Sequence, residues 1–207
     1  MAFGMTFWSI VVAVLAALLV GPLYAPTHVF SEKVMLQVAK NAIKKGHGNS
    51  TAIVNEVKYP RWVAKEPKWM FNNAGGAMGS MAVLHASFSE YVIIFGTAVG
   101  TEGATGRFMA DDWFTILAGQ QWAHSAGKMS KEIYKAGDQH HLKYGEFKQY
   151  KMPDECWALE YARGNIVSML PFGMFDTIFS TLDFYTFYQT VIVSAHEMLN
   201  NLLQGKI

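Results

Sequence analysis

Two carboxylates stand in this sequence where carboxylates are costly. Asp112 lies in the run RFMADDWFTI and Glu160 in CWALEYARG. Side chains alternate along an extended strand, so residues two apart share a face. Read as a strand, the first run puts Phe108, Ala110, Asp112, Phe114 and Ile116 on one face, and Arg107, Met109, Asp111 and Trp113 on the other. The second run sets Glu160 beside Cys156, Ala158 and Ala162, whose small side chains leave room. In SEYVIIFGT, Tyr91, Ile93 and Phe95 share a face and Glu90 lies opposite. Burial raises the pKa of a carboxyl group, and a second carboxylate nearby raises one member further. Two such acids in one apolar pocket share a proton near neutral pH and can both give and take one. Spacing alone leaves a second reading open, in which Asp112 and Glu160 cap backbone groups or pair with Arg107 and Arg163.

Other reactive side chains offer less. His140, His141 and Glu146 invite comparison with a metal-dependent oxygenase. Adjacent strand residues point to opposite faces, so two neighbouring histidines cannot readily hold one ion. The run reads instead as a polar hairpin tip, and His85 and His124 as structural residues. Glu90 and His85 are placed to brace the fold through hydrogen bonds. Cys156 is the single cysteine, so neither an internal disulfide nor a paired-cysteine zinc site is available. Its apolar surroundings point to packing. No cofactor and no metal are expected.

The elements that must position these residues change character along the chain. Thr6 to Tyr24 is an uncharged apolar run of the length a membrane-spanning helix needs. No Lys or Arg precedes it, and Pro22 and Pro26 crowd the place a cut would fall, which favours an uncleaved transmembrane anchor over residues 1–27 rather than a signal peptide. Which side of the membrane the rest occupies stays open. Phe30 to Lys45 predicts an amphipathic helix beside the anchor, with Val34, Val38 and Ala42 on one face, ended by Gly46, Gly48 and Asn49. Residues 50–70, with Pro60 and Pro67, read as irregular connection. From Val83 onward, short runs of β-branched and aromatic residues are punctuated by Gly, Pro and Asp, which predicts antiparallel strands closing into a small barrel or sandwich. Residues 168–204 predict two helices broken near Thr181 to Asp183. Their apolar surface exceeds what a soluble exterior carries, so they are expected to lie on the membrane and cover one end of the barrel. Charged residues make up 16% of the 207-residue chain and the net charge is +1. Soluble domains carry about 25% charged residues. With no basic stripe, nucleic acid is excluded as a partner.

Four stretches carry a resemblance: NNAGGAMGSMAVLHASFSEYVIIFGTAVG (72–100), TGRFMADDWFTILAG (105–119), WALEYARG (157–164) and FDTIFSTLDF (175–184). Together they resemble the family of fungal C-8 sterol isomerases and the type-one sigma receptor, from about residue 28 to residue 200. The resemblance implies a mainly β fold with helices, built as a cupin-like β-barrel behind a transmembrane helix. It also implies an endoplasmic reticulum membrane location and a homotrimer. In the family, the Glu of the EYxRG motif meets a ligand's positive charge, and here that residue is Glu160. The receptor's second carboxylate stands at the position of Phe114, where this chain departs from it. The sequence Ala110-Asp111-Asp112 instead looks like the isomerase branch, and Asp112 shares the face of Phe114.

The expected reaction follows from that likeness. A neutral carboxylic acid protonates C-9 of a Δ8-sterol, a tertiary cation forms at C-8, and a carboxylate removes a proton from C-7 to leave the Δ7 bond. Glu160 and Asp112 divide these roles. Tyr91, Ile93, Phe95, Phe108 and Phe114 are expected around the substrate, with Met81, Ala158, Met169 and Leu170 completing the pocket. Cationic amines would mimic the intermediate. The competing reading is a non-catalytic, receptor-like membrane protein that binds cationic amphiphiles or sterols.

Overall fold

The computed structural model describes residues 28–57 and 67–206. The expected anchor over residues 1–27 lies outside the described residues. Among those described, no helix is long and apolar enough to cross a membrane.

The first helix, α1 (Glu32–Gly46), begins where Ser31 accepts a hydrogen bond from the Val34 amide and ends at His47 in the left-handed region. Glu32 sits in its first turn and Lys44 and Lys45 in its last, which suits the helix dipole. Its buried stripe is Met35, Ala39 and Ala42, while Val34 is 39% exposed. The expected Val34–Val38 face is thus rotated by one position. The helix packs on the outer face of a sheet, where Trp113, Leu117, Leu159 and Tyr161 supply the partner surface. Residues 50–70 are not wholly irregular. Asn49 accepts from the Ala52 amide and starts α2 (Ser50–Asn55), whose Ile53 is buried against α1. A side chain at Gly46 would lie 2.6 Å from the Ile53 backbone nitrogen, so only glycine lets the two helices approach this closely.

Among the described residues ten strands follow: β1 (Trp69–Ala74), β2 (Ala77–Ala86), β3 (Glu90–Thr97), β4 (Thr101–Ala104), β5 (Ala110–Ala118), β6 (Gln120–His124), β7 (Glu132–Lys135), β8 (Gln139–Leu142), β9 (Gln149–Met152) and β10 (Cys156–Gly164). They form a six-stranded sheet in the order β1-β2-β3-β10-β5-β8 and a four-stranded sheet in the order β4-β9-β6-β7. Every pairing is antiparallel. The alternation read from the sequence sorts the large sheet as expected. Met81, Ile93, Phe95, Phe114, Ile116, Ala158 and Ala162 join Met152 of the small sheet in one core between the sheets. Leu84, Val92, Ile94, Trp113, Leu159 and Tyr161 face outward to α1 and α2.

After β10 come a short 3-10 turn (Ile166–Ser168), α3 (Leu170–Asp176), a π-helical turn (Thr177–Thr181) and α4 (Phe184–Leu203). The break falls where expected: Leu182 is left-handed, and Asp183 restarts the helix by accepting from the Thr186 amide at 2.9 Å. The inner stripe of α4, Thr186, Ser194, Met198 and Asn201, covers the sheets. Thr190 reaches Met70, and Asn201 donates to the Ala86 carbonyl at 2.8 Å. The outer faces leave Phe175, Phe179, Leu182, Tyr185 and Tyr188 exposed.

The two ends of the described domain meet at Glu90. Its buried carboxylate accepts from the amides of Val29 (2.7 Å) and Phe30 (3.0 Å), from the Tyr161 hydroxyl (2.7 Å) and from Lys206 (2.7 Å).

Candidate functional site

Strand register decides which side chains meet. Glu160 on β10 lies opposite Ile93 of β3 and Phe114 of β5. One step along, Ala162 lies opposite Tyr91 and Asp112. Asp112 and Glu160 are therefore diagonal neighbours on the inner face, about 7–8 Å apart at the backbone and within reach through their side chains. Ala158 and Ala162 flank Glu160 and are fully buried, so the space beside the carboxylate is bounded by methyl groups.

Burial pushes the Asp112 carboxyl well above its usual range, and the charge of Glu160 pushes it further. Burial alone lifts Glu160 to about 7. Among the described residues, nothing hydrogen-bonds to Oδ1 of Asp112. The arginine-paired reading is excluded: Arg107 donates to the Gly145 carbonyl, and Arg163 lies over the Trp113 ring, 3.7 Å from Glu32. Its neighbour Asp111 points outward to His141 at 2.8 Å. Among the described residues, the pair is thus two acids without a cation. Both carboxyls are pushed toward the neutral form, the state from which an acid can donate a proton.

The expected pocket residues divide. Tyr91, Met81, Ile93, Phe95, Phe114 and Ala158 line the inner core, and Met169 packs against it. Tyr91 is pushed up to about 12 by burial and touches Ser194 of α4. Phe108 lies under the helical cover, edge-on to Phe172 at 5.3 Å. Leu170 is 40% exposed, on the outer side of the turn from Met169. Successive helical residues diverge by about 100°, so the inward Met169 turns its neighbour out.

Several inner residues escaped the sequence reading. Tyr150 on β9 shares the inner face of Met152, and its phenol is pushed up by burial and then by Glu160 and Asp112. The alternation in QYKM was the available signal. Lys148, also buried, is held by Glu132 (2.8 Å), Glu146 (3.7 Å) and His140 Nε2 (3.1 Å). His140 and His141 are not a hairpin tip but part of β8, paired with β5. They do point to opposite faces: His140 is buried, with its pKa lowered to about 4 by burial and Lys148, while His141 stacks on Trp113. Among the described residues, no three of His, Cys, Asp or Glu converge as a metal site requires. Cys156 is buried, and burial pushes its thiol up to about 12, which suits packing rather than nucleophilic attack.

The sequence profile of the family described as "ERG2 and Sigma1 receptor like protein" matches residues 5–206. The C-8 sterol isomerase of Pyricularia oryzae is 51% identical over 188 residues, covering 86% of this chain and 85% of the relative. That of Mycosarcoma maydis is 50% identical over 193 residues, covering 86% and 80%. The Sigma non-opioid intracellular receptor 1 of Xenopus tropicalis is 39% identical over 194 residues, covering 90% and 87%. Among solved structures, an RmlC-like cupin from Shewanella frigidimarina overlaps 52% of this chain and 92% of its own, with a TM-score of 0.42 and 11% identity.

Proposed function

This chain belongs to the ERG2 and Sigma1 receptor like family, and from that premise we propose that it is a C-8 sterol isomerase moving the ring double bond from Δ8 to Δ7. The observation that carries the reading is the pair Asp112 and Glu160, set among apolar side chains with no arginine or lysine partner among the described residues. The fungal relatives at about half identity are named for this reaction.

The chemistry follows from the protonation state. The pair holds one proton, and its neutral member delivers that proton to C-9. The electrons of the C-8/C-9 double bond form the new C–H bond and leave a tertiary cation at C-8. The ionised member stabilises the cation across a dry space, where charge interactions are strong. The rings of Tyr91, Phe95 and Phe114 present their negative faces to it. A carboxylate then takes a proton from C-7, the C–H electrons form the Δ7 bond, and the pair again holds one proton. No electron is gained or lost, so the reaction needs no redox partner.

The rest of the proposal concerns setting. The two sheets form a cupin-like barrel around the sterol, residues 1–27 anchor the chain in the endoplasmic reticulum membrane, and α3 and α4 rest on the bilayer. The exposed aromatic face of those helices supports this placement. The functional unit is a homotrimer, and light scattering of the detergent-solubilised chain tests it.

The decisive experiment is conversion of a Δ8-sterol in deuterated water by wild type, Glu160→Gln and Asp112→Asn. Deuterium at C-9 of a Δ7 product, formed by wild type and by neither variant, is the expected result. A folded wild type that binds sterol or cationic amine without converting any Δ8-sterol would establish the receptor-like reading instead.

A further inference from the structure

A sterol carries one hydroxyl group, at C-3 of ring A, and a chamber that orients it needs a polar group away from the reacting carbons. The inner face of the small sheet offers one. Gln121 is the second residue of β6, just beyond the turn that leaves β5 at Ala118. Burial along β6 alternates: Gln121 is 2% and Ala123 1% exposed, with half-buried residues on either side. Its cross-strand neighbour Tyr134 packs against the core between the sheets. The amide is thus directed inward, on the sheet facing Asp112 and Glu160.

Among the described residues, nothing hydrogen-bonds to Oε1 of Gln121. Buried amides are almost always satisfied, so an open one facing a binding chamber invites a ligand group. Two of the neighbouring polar groups are already engaged. Tyr134 donates to Glu132 at 2.9 Å, and Lys148 is held by Glu132 and His140. Asp112 Oδ1 is also open, and it belongs to the proton-transfer pair.

We propose that Gln121 is the residue that recognises the sterol 3-hydroxyl, fixing ring A against β6 and directing the side-chain end of the sterol toward α3 and α4. This rests on the sterol reading above. A hydroxyl both donates and accepts, so it satisfies the amide whichever end the glutamine presents.

The test uses full-length protein in detergent and two substrates, a Δ8-sterol and its 3-deoxy analogue, with wild type, Gln121→Leu and Gln121→Glu. Two readouts are taken: kcat/KM for isomerisation, and displacement of a fluorescent cationic amine that lacks a hydroxyl. Wild type is expected to favour the hydroxylated sterol by about 10–100-fold, a site built to bond a hydroxyl discriminating strongly against its absence. Gln121→Leu is expected to reduce that ratio to near one while the amine binds as before. Gln121→Glu, which keeps an acceptor, restores part of the preference. Because the readout is a ratio within each protein, partial loss of folded material does not alter it. An unchanged hydroxyl preference in Gln121→Leu, or no preference in wild type, overturns the proposal. If wild type converts neither sterol, the isomerase reading fails separately, and the displacement ratio still decides the role of Gln121.

Discussion

Glu160→Gln is expected to make the protein inactive and more stable, with a gain that grows from pH 4.5 to about 7 and is full above it. Each pKa unit corresponds to about 1.4 kcal/mol. The rise of Glu160 from 4.5 to about 7 therefore costs its ionised form about 3 kcal/mol in the folded state. The folded pKa lies above the unfolded one, so the folded protein holds the proton more tightly between the two values. The stability this lends is complete below pH 4.5 and is lost as the pH rises through 7. Glutamine stays neutral and has no such loss. It also removes the charge that pushes Asp112 upward. At pH 8 the variant should exceed wild type by about 3 kcal/mol, or roughly 6–12 °C in Tm for a chain of this size. At pH 4.5 the two should nearly coincide. Thermal unfolding of both proteins at the two pH values measures the difference directly. A variant no more stable than wild type at pH 8, or a gain independent of pH, would refute the argument that Glu160 is held in an unfavourable ionisation state for the sake of its chemistry.

Three further outcomes are expected. A permanently charged quaternary amine should bind more tightly as the pH rises through about 7, by up to tenfold per pH unit, because the ionised Glu160 is the form that attracts it; titration by fluorescence displacement checks this, and flat affinity contradicts it. Lys148→Met removes the cation shared by Glu132 and Glu146; loss of about 3 kcal/mol is expected, read as a lower urea midpoint with an unchanged slope. Gly96→Ala would put a methyl group 2.4 Å from the Cys156 carbonyl oxygen, forcing β3 away from β10; destabilisation of about 1–3 kcal/mol is expected, together with reduced isomerisation because Glu160 rides on β10.

The division between what was legible in the sequence and what was not follows the range of the forces involved. Alternation along a strand is a property of the local backbone, so the inward placement of Asp112, Glu160, Tyr91, Ile93 and Phe95 could be read from runs of eight or ten residues. The break between α3 and α4 was equally local, since Asp183 caps a helix with its own side chain. Local pattern failed for α1, where Val34 and Met35 are both apolar and only the shape of the outer sheet surface chose between them. Nor could it choose which of the adjacent Met169 and Leu170 turns outward; Leu170 is the exposed one. Tyr150, Lys148 and Gln121 were out of reach for a stronger reason. Each lies on or beside the small sheet, and which groups it faces depends on how that sheet docks on the large one, a contact between segments distant in the chain. The sequence by itself thus determined the inner row of one wall and the identity of its two acids. Only the tertiary structure decided what stands across the chamber, because side-chain direction is set by neighbouring peptide bonds whereas the facing wall is set by the packing of separate sheets.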